Sequence, residues 1–148
     1  MTSHSITAAS KLALALILTA LIGAAYAVGR AHAAEPKPAR LFEMRTYTAP
    51  EGKIEALHAR FRDHTNRLFQ KHGMELIGYW TPIEGEEAKN TLIYILAYPD
   101  RESRDRSFQA FVADPEWKKA HAASEKDGKL VAKIESKFLT PTDYSPIR

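Results

Sequence analysis

The stretch Gly78–Tyr98, GYWTPIEGEEAKNTLIYILAY, reads as two strands joined by a polar turn, and its second half decides the fold. Side chains alternate along a strand, so in Thr91–Tyr98 the residues Ile93, Ile95 and Ala97 point one way. Leu92, Tyr94, Leu96 and Tyr98 point the other. Both faces are apolar, as in a strand that is covered on both sides. The chain has 148 residues, enough for one domain. Each cover must therefore come from that domain or from a second copy of it.

Working outward, Leu41–Thr48 (LFEMRTYT) alternates, with Phe42, Met44 and Thr46 opposite Glu43, Arg45 and Tyr47, and predicts a first strand. Thr48-Ala49-Pro50-Glu51 has the form of a capping box with proline in the first helical turn. It predicts a helix to about His72, stopped at Gly73. The buried stripe of that helix is Ile54, Leu57, Phe61, Leu68 and His72, with Arg60, Arg62, Asp63 and Arg67 on the wet side. Glu75–Ile83 is the second strand, with Leu76, Gly78 and Trp80 on one face and Ile77 and Tyr79 on the other; Pro82 marks its end. Pro99-Asp100 opens a second helical region with Phe108, Phe111 and Val112 as its stripe. Asp114-Pro115 caps and restarts a short helix to about Ser124. Lys129–Leu139 is the fourth strand, Val131 and Lys133 opposing Ala132, Ile134, Ser136 and Phe138, and the tail TPTDYSPIR is extended.

The order is β-α-β-β-α-β, the ferredoxin-like split unit: an α+β fold with a four-stranded antiparallel sheet and its helices on one face. Helices cover one side of the third strand. A large apolar patch on the other side marks an interface, and a second copy packed sheet to sheet across a two-fold axis is its simplest cover. A homodimer is thus expected.

The start of the chain lies outside this unit. Lys11, the apolar run Leu12–Ala27 and the small-x-small pair Ala31 and Ala33 have the layout of a secretory signal peptide over residues 1–33, cut after Ala33, with a linker over 34–40. The expected location is periplasmic or secreted; an uncleaved membrane anchor is the alternative. Removing residues 1–33 takes away Lys11 and Arg30 and no acid, so the 21 basic residues become 19 against 18 acidic ones. That balance gives no footprint for nucleic acid. The absence of cysteine excludes disulfides, thiolate catalysis and cysteine metal sites.

Four segments together carry a family resemblance: FEMRTYTAPEGKIEALHARF, HGMELIGYWTPIEGE, YILAYPDRESRDRSFQAFVADPEWKKAH and FLTPTDYSP. The E-x-R-T-Y strand, GYW, DPEW and P-T-x-Y-S-P are its specific parts, and from Leu41 to Pro146 the chain resembles the NIPSNAP family. The resemblance implies a dimeric α/β barrel. It also implies a superfamily that includes cofactor-free monooxygenases, small-molecule isomerases and haem-handling proteins. Fold likeness by itself supplies no reaction.

The candidate ligand-binding residues are Arg45, Tyr47, Tyr79, Trp80 and Trp117. Arg45 offers a clamp for a carboxylate; its plainer reading is an ion pair, with Glu43 or across subunits, with Tyr47 capping the core edge. The aromatics suit a mainly apolar pocket, and equally a core. His64 is the best candidate for a catalytic base, since histidine titrates near neutral pH; its plainer reading is a satisfied core or rim residue. His64 and His72 lie two helical turns apart, roughly 12 Å of rise, and His121 with Glu125 is a lone i, i+4 pair, so no metal site is expected. No cofactor is expected either: the Gly-rich phosphate loop, G-x-S-x-G and Cys-His pairs are all missing. Two readings remain. One is an exported protein that binds a small apolar or aromatic ligand or a protein partner. The other is a cofactor-independent monooxygenase or isomerase with His64 as base, Arg45 as anion holder and Trp80 and Trp117 as walls. Haem held by His64 or His121 is a third, weaker reading.

Overall fold

The computed structural model describes residues 40–147. The leader and nearly all of the linker fall outside them. Four strands form one sheet: β1 (Leu41–Thr48), β2 (Glu75–Trp80), β3 (Thr91–Tyr98) and β4 (Lys133–Leu139). Their order is β2-β3-β1-β4, with β1–β3, β1–β4 and β2–β3 all antiparallel. This is the ferredoxin-like arrangement expected from the sequence.

The first helical rod has three parts: α1 (Ile54–Arg60), a π-helical turn (Phe61–Thr65) and α2 (Asn66–Lys71). It begins later than the capping-box reading requires. Thr48 is still in the strand, and the turn Pro50–Lys53 closes with the Lys53 amide donating to the Pro50 carbonyl at 3.0 Å. Gly52, third in that turn, has φ +70°, a left-handed conformation that ends any helix begun at Thr48. The helix starts beyond it without a side-chain cap. At the other end Gly73 takes φ +76° and stops the rod, as expected.

The π turn inserts extra chain into one helical turn and so rotates α2 about the rod axis. Phe69 thereby joins Leu57, Phe61 and Leu68 in the core, a burial that constant 3.6-residue spacing misses. Helices α3 (Arg101–Ala113) and α4 (Pro115–Ser124) come after β3. Asp100 accepts from the Ser103 amide at 2.6 Å and Asp114 from the Glu116 amide at 2.8 Å, and the Asp114 cap is the one expected from the sequence.

On the helix side, the core joins Leu92, Tyr94, Leu96 and Tyr98 of β3 to Leu57, Phe61, Leu68, Phe69 and Phe111. Strand β2 differs from its simple alternation. Leu76 faces Leu96 but Gly78 faces Ile95, so Ile77 is an extra residue, a β-bulge. A one-residue slip flips every later side chain. Leu76 and Tyr79 therefore both point to the helices, while Gly78 and Trp80 point away. The fourth strand begins at Lys133, four residues later than read from the sequence; Leu130 is buried before it.

The second face of β3 is partly covered by the chain itself. Pro141, Thr142 and Ile147 of the tail line a shallow pocket of about 300 Å³ with Phe42, Ile77, Ile95 and Leu139. Trp80 remains half exposed on that side. Among the described residues, no helix is long and apolar enough to cross a membrane.

Candidate functional site

The helix-facing side of β1 is its polar side. Glu43, Arg45 and Tyr47 point into the domain, opposite Leu96, Tyr94 and Leu92 of β3. Glu43 is 0% exposed. It accepts from Arg45 Nη1 at 2.6 Å, from Arg104 Nε and Nη2 at 2.8 Å each, and from Ser136 Oγ at 2.7 Å. Burial pushes its carboxyl up, but the bonds from Arg104, Ser136 and Arg45 outweigh that and hold it below its usual range. Arg45 also donates from Nε to the Tyr94 hydroxyl at 2.9 Å and from Nη2 to the Tyr47 hydroxyl at 3.2 Å. Burial opposes its charge, yet these oxygens and Glu43 keep it protonated. Burial raises the Tyr94 phenol well above its ordinary value. The Arg45–Glu43 ion pair expected as the plainer reading therefore exists, within one chain, with Arg45 anchored by three side chains.

Beside this network lies a cavity of about 430 Å³. Arg45, Tyr47 and Ile134 form its floor; Arg60, Phe61, Thr65 and Phe69 come from the first helical rod, Phe108 and Phe111 from α3, Trp117, His121 and Glu125 from α4 and its end. The walls are a chain of rings: Phe69 to Phe111 at 4.7 Å, Phe111 to Trp117 at 4.4 Å, Trp117 to His121 at 5.3 Å. Such a space, mainly apolar with a few polar groups, suits a small molecule.

The structure gathers some of the expected site residues and separates others. Arg45, Tyr47 and Trp117 share this cavity. Tyr79 and Trp80 line a different cleft, also of about 430 Å³, with His58, Arg62 and Asn66; Phe61 borders both. Tyr79 stacks on Tyr94 at 5.7 Å, and its buried hydroxyl has no hydrogen-bond partner among the described residues. His64 is exposed on the outer side of the helix layer, in a groove with Asp63, Ala120 and Ser124. It faces neither the sheet nor Arg45, so the expected pairing of these two does not form. His72 sits 2.7 Å from Asp114, at the α4 cap.

Three charged cavity residues escape the sequence reading as site members, Arg60, Glu125 and Lys129, while His121 enters it only as a candidate haem ligand. Helical spacing puts Arg60 on the wet side, but it is 5% exposed. Its Nη1 reaches Glu125 at 3.1 Å and Ser124 at 3.4 Å, and its guanidinium lies over the Trp117 ring at 5.5 Å. Periodicity within one helix cannot report a partner helix packed against its flank. His121 Nε2 lies 3.5 Å from Glu125; their i, i+4 spacing is the available signal. Burial raises the Glu125 carboxyl, but the Leu130 amide and Arg60 outweigh it and the net shift is downward. Among the described residues, no group of three or more His, Asp and Glu side chains is placed to hold a metal ion.

A family model described as NIPSNAP matches residues 42–146. A NIPSNAP family protein with unknown function from Agrobacterium tumefaciens is 26% identical; the match covers 74% of this chain and 95% of that one, with a TM-score of 0.65. A NIPSNAP domain protein from Burkholderia xenovorans is 27% identical over 72% of this chain and 98% of that one, at a TM-score of 0.61. More distant is SnoaB, a cofactor-independent oxygenase from Streptomyces nogalater: 13% identity over 73% of this chain and 98% of that one, TM-score 0.48. Among curated proteins there is no match.

Proposed function

The chain belongs to the NIPSNAP family, and we propose that within it this protein binds a small aromatic molecule in the cavity between its helices and its sheet. The observation that carries this reading is the cavity itself: about 430 Å³, walled by Phe61, Phe69, Phe108, Phe111 and Trp117 around the polar groups of Arg45, Tyr47 and His121. Cores close such spaces to near-crystalline density. This one stays open beside a buried ion pair that is fixed in place before any ligand arrives. Calorimetric titration of the purified chain with small aromatic acids and alcohols tests the reading. Saturable binding that Trp117→Ala abolishes without loss of fold supports it; no heat with any probe of this class refutes it.

Export and dimerisation belong to the same proposal. The exported form begins after Ala33, and the mass of the protein recovered from its host's envelope tests that. Two copies meet through the sheet face that carries Met44, Ile93 and Ile95, beside the patch covered by the tail. Native mass spectrometry reads the outcome, and a monomer at micromolar concentration would sink the dimer. A cofactor-independent enzyme is the second reading, favoured by His121 beside Glu125 at the cavity wall. Oxygen uptake or turnover of a bound aromatic, lost in His121→Ala, would favour it over simple binding.

A further inference from the structure

We propose that the molecule bound in this cavity is an anion, an aromatic carboxylate, and that Arg60 is the residue that selects it. The inference rests on the cavity-binding reading above and adds the substrate class. The cavity carries an excess of positive charge. Arg45, Arg60 and Lys129 line it against the single carboxylate Glu125. Behind Arg45, Glu43 brings one negative charge and Arg104 one positive. Two carboxylates thus face four cations, and His121 adds nothing negative. The further partner of Arg104, Asp105, is on the solvent side and already pairs with Arg101 at 3.2 Å. A concave site with an uncompensated positive field concentrates anions.

Arg60 itself points the same way, independently of that count. Its side chain is 4% exposed. Its Nη1 is occupied by Glu125 and Ser124, but its Nη2 makes no hydrogen bond among the described residues and is not sealed from solvent. On a largely buried group, a charged donor without a protein acceptor is costly to leave unpaired. A ligand carboxylate supplies the missing acceptor, and the planar guanidinium is built to receive one. The rings of Phe61, Phe111 and Trp117 around it seat an aromatic body. Arg45, by contrast, already donates to three side chains and fixes the floor.

The test is calorimetric titration of the purified chain with 2-naphthoate and with 2-naphthalenemethanol, which share a ring system and differ in charge. The expected result is at least tenfold tighter binding of the carboxylate, a preference that weakens as salt is added. Arg60→Gln should remove most of that preference and leave the alcohol unaffected. Should Arg60→Gln fail to fold, the exposed Lys129→Gln carries the test, and a several-fold loss confined to the carboxylate is expected. Equal binding of the two probes overturns the anion proposal and leaves the cavity reading intact. Binding of neither overturns both. A carboxylate preference unchanged in both variants overturns the assignment to these cations.

Discussion

Replacing Glu43 by alanine should be among the most damaging single changes in the domain. The carboxylate is 0% exposed and accepts four hydrogen bonds, two from Arg104 and one each from Arg45 and Ser136. The Arg45 side chain is 8% exposed, so water does not replace what it loses. Breaking a buried pair from one side costs about 3–5 kcal/mol, because a charge is left uncompensated. In a domain of this size, a loss at that level lowers the melting temperature by about 12–20 °C. Urea unfolding of Glu43→Ala beside the parent measures it, and a cost below about 1 kcal/mol would refute the reading of Glu43 as the counter-charge of Arg45. Glu43→Leu with Arg45→Met should recover part of the loss, since an apolar pair in place of a buried ion pair is often close to neutral. The pH dependence has a defined sign. The Glu43 carboxyl is held below its ordinary 4.5 in the fold. Its contribution is therefore complete above the unfolded value and is lost as pH falls through the lowered folded value. The parent's acid limb should be shallower in Glu43→Gln.

Other changes separate further parts of the fold. Leu68→Ala empties a position 0% exposed behind the π turn and should cost about 2–5 kcal/mol by chemical denaturation. Gly73→Ala should cost about 1–2 kcal/mol through its φ of +76°, not through crowding, since the nearest atom to an added Cβ is Ser107 Oγ at 3.7 Å. At Gly78 the backbone is ordinary, but an added Cβ would meet the Trp80 ring at 2.6 Å. Gly78→Ala should swing that half-exposed ring aside, shifting its fluorescence at a cost of about 1 kcal/mol. A parent-like emission spectrum would show that the ring does not lie over Gly78.

The sequence carried the order of the elements, the Asp114 cap and the Gly73 stop, because each depends on a short stretch of chain. It misjudged features that depend on an inserted residue. The bulge at Ile77 reverses the faces of Tyr79 and Trp80, and the π turn brings in Phe69; periodicity assumes a constant step and sees neither. The site was half visible for a related reason. Arg45 and Tyr47 stood out on one strand face. Arg60 joins the cavity lining only through the packing of α4 against α1, and His64 lies away from that cavity because its helix turns it outward.

Strand β4 is exposed along all seven of its residues, with Ile134 51% and Phe138 39% exposed even though their side faces the helices. It is an edge strand held to β1 by its ladder and by the Ser136–Glu43 bond. Local opening costs least where few apolar contacts must break. The amides of β4 should exchange with solvent before those of β1 and β3, and Ile134 on this strand is part of the cavity floor. The cavity already opens to solvent at this edge, where Ile134 and Lys129 are exposed, so local opening of β4 would widen its mouth rather than create it.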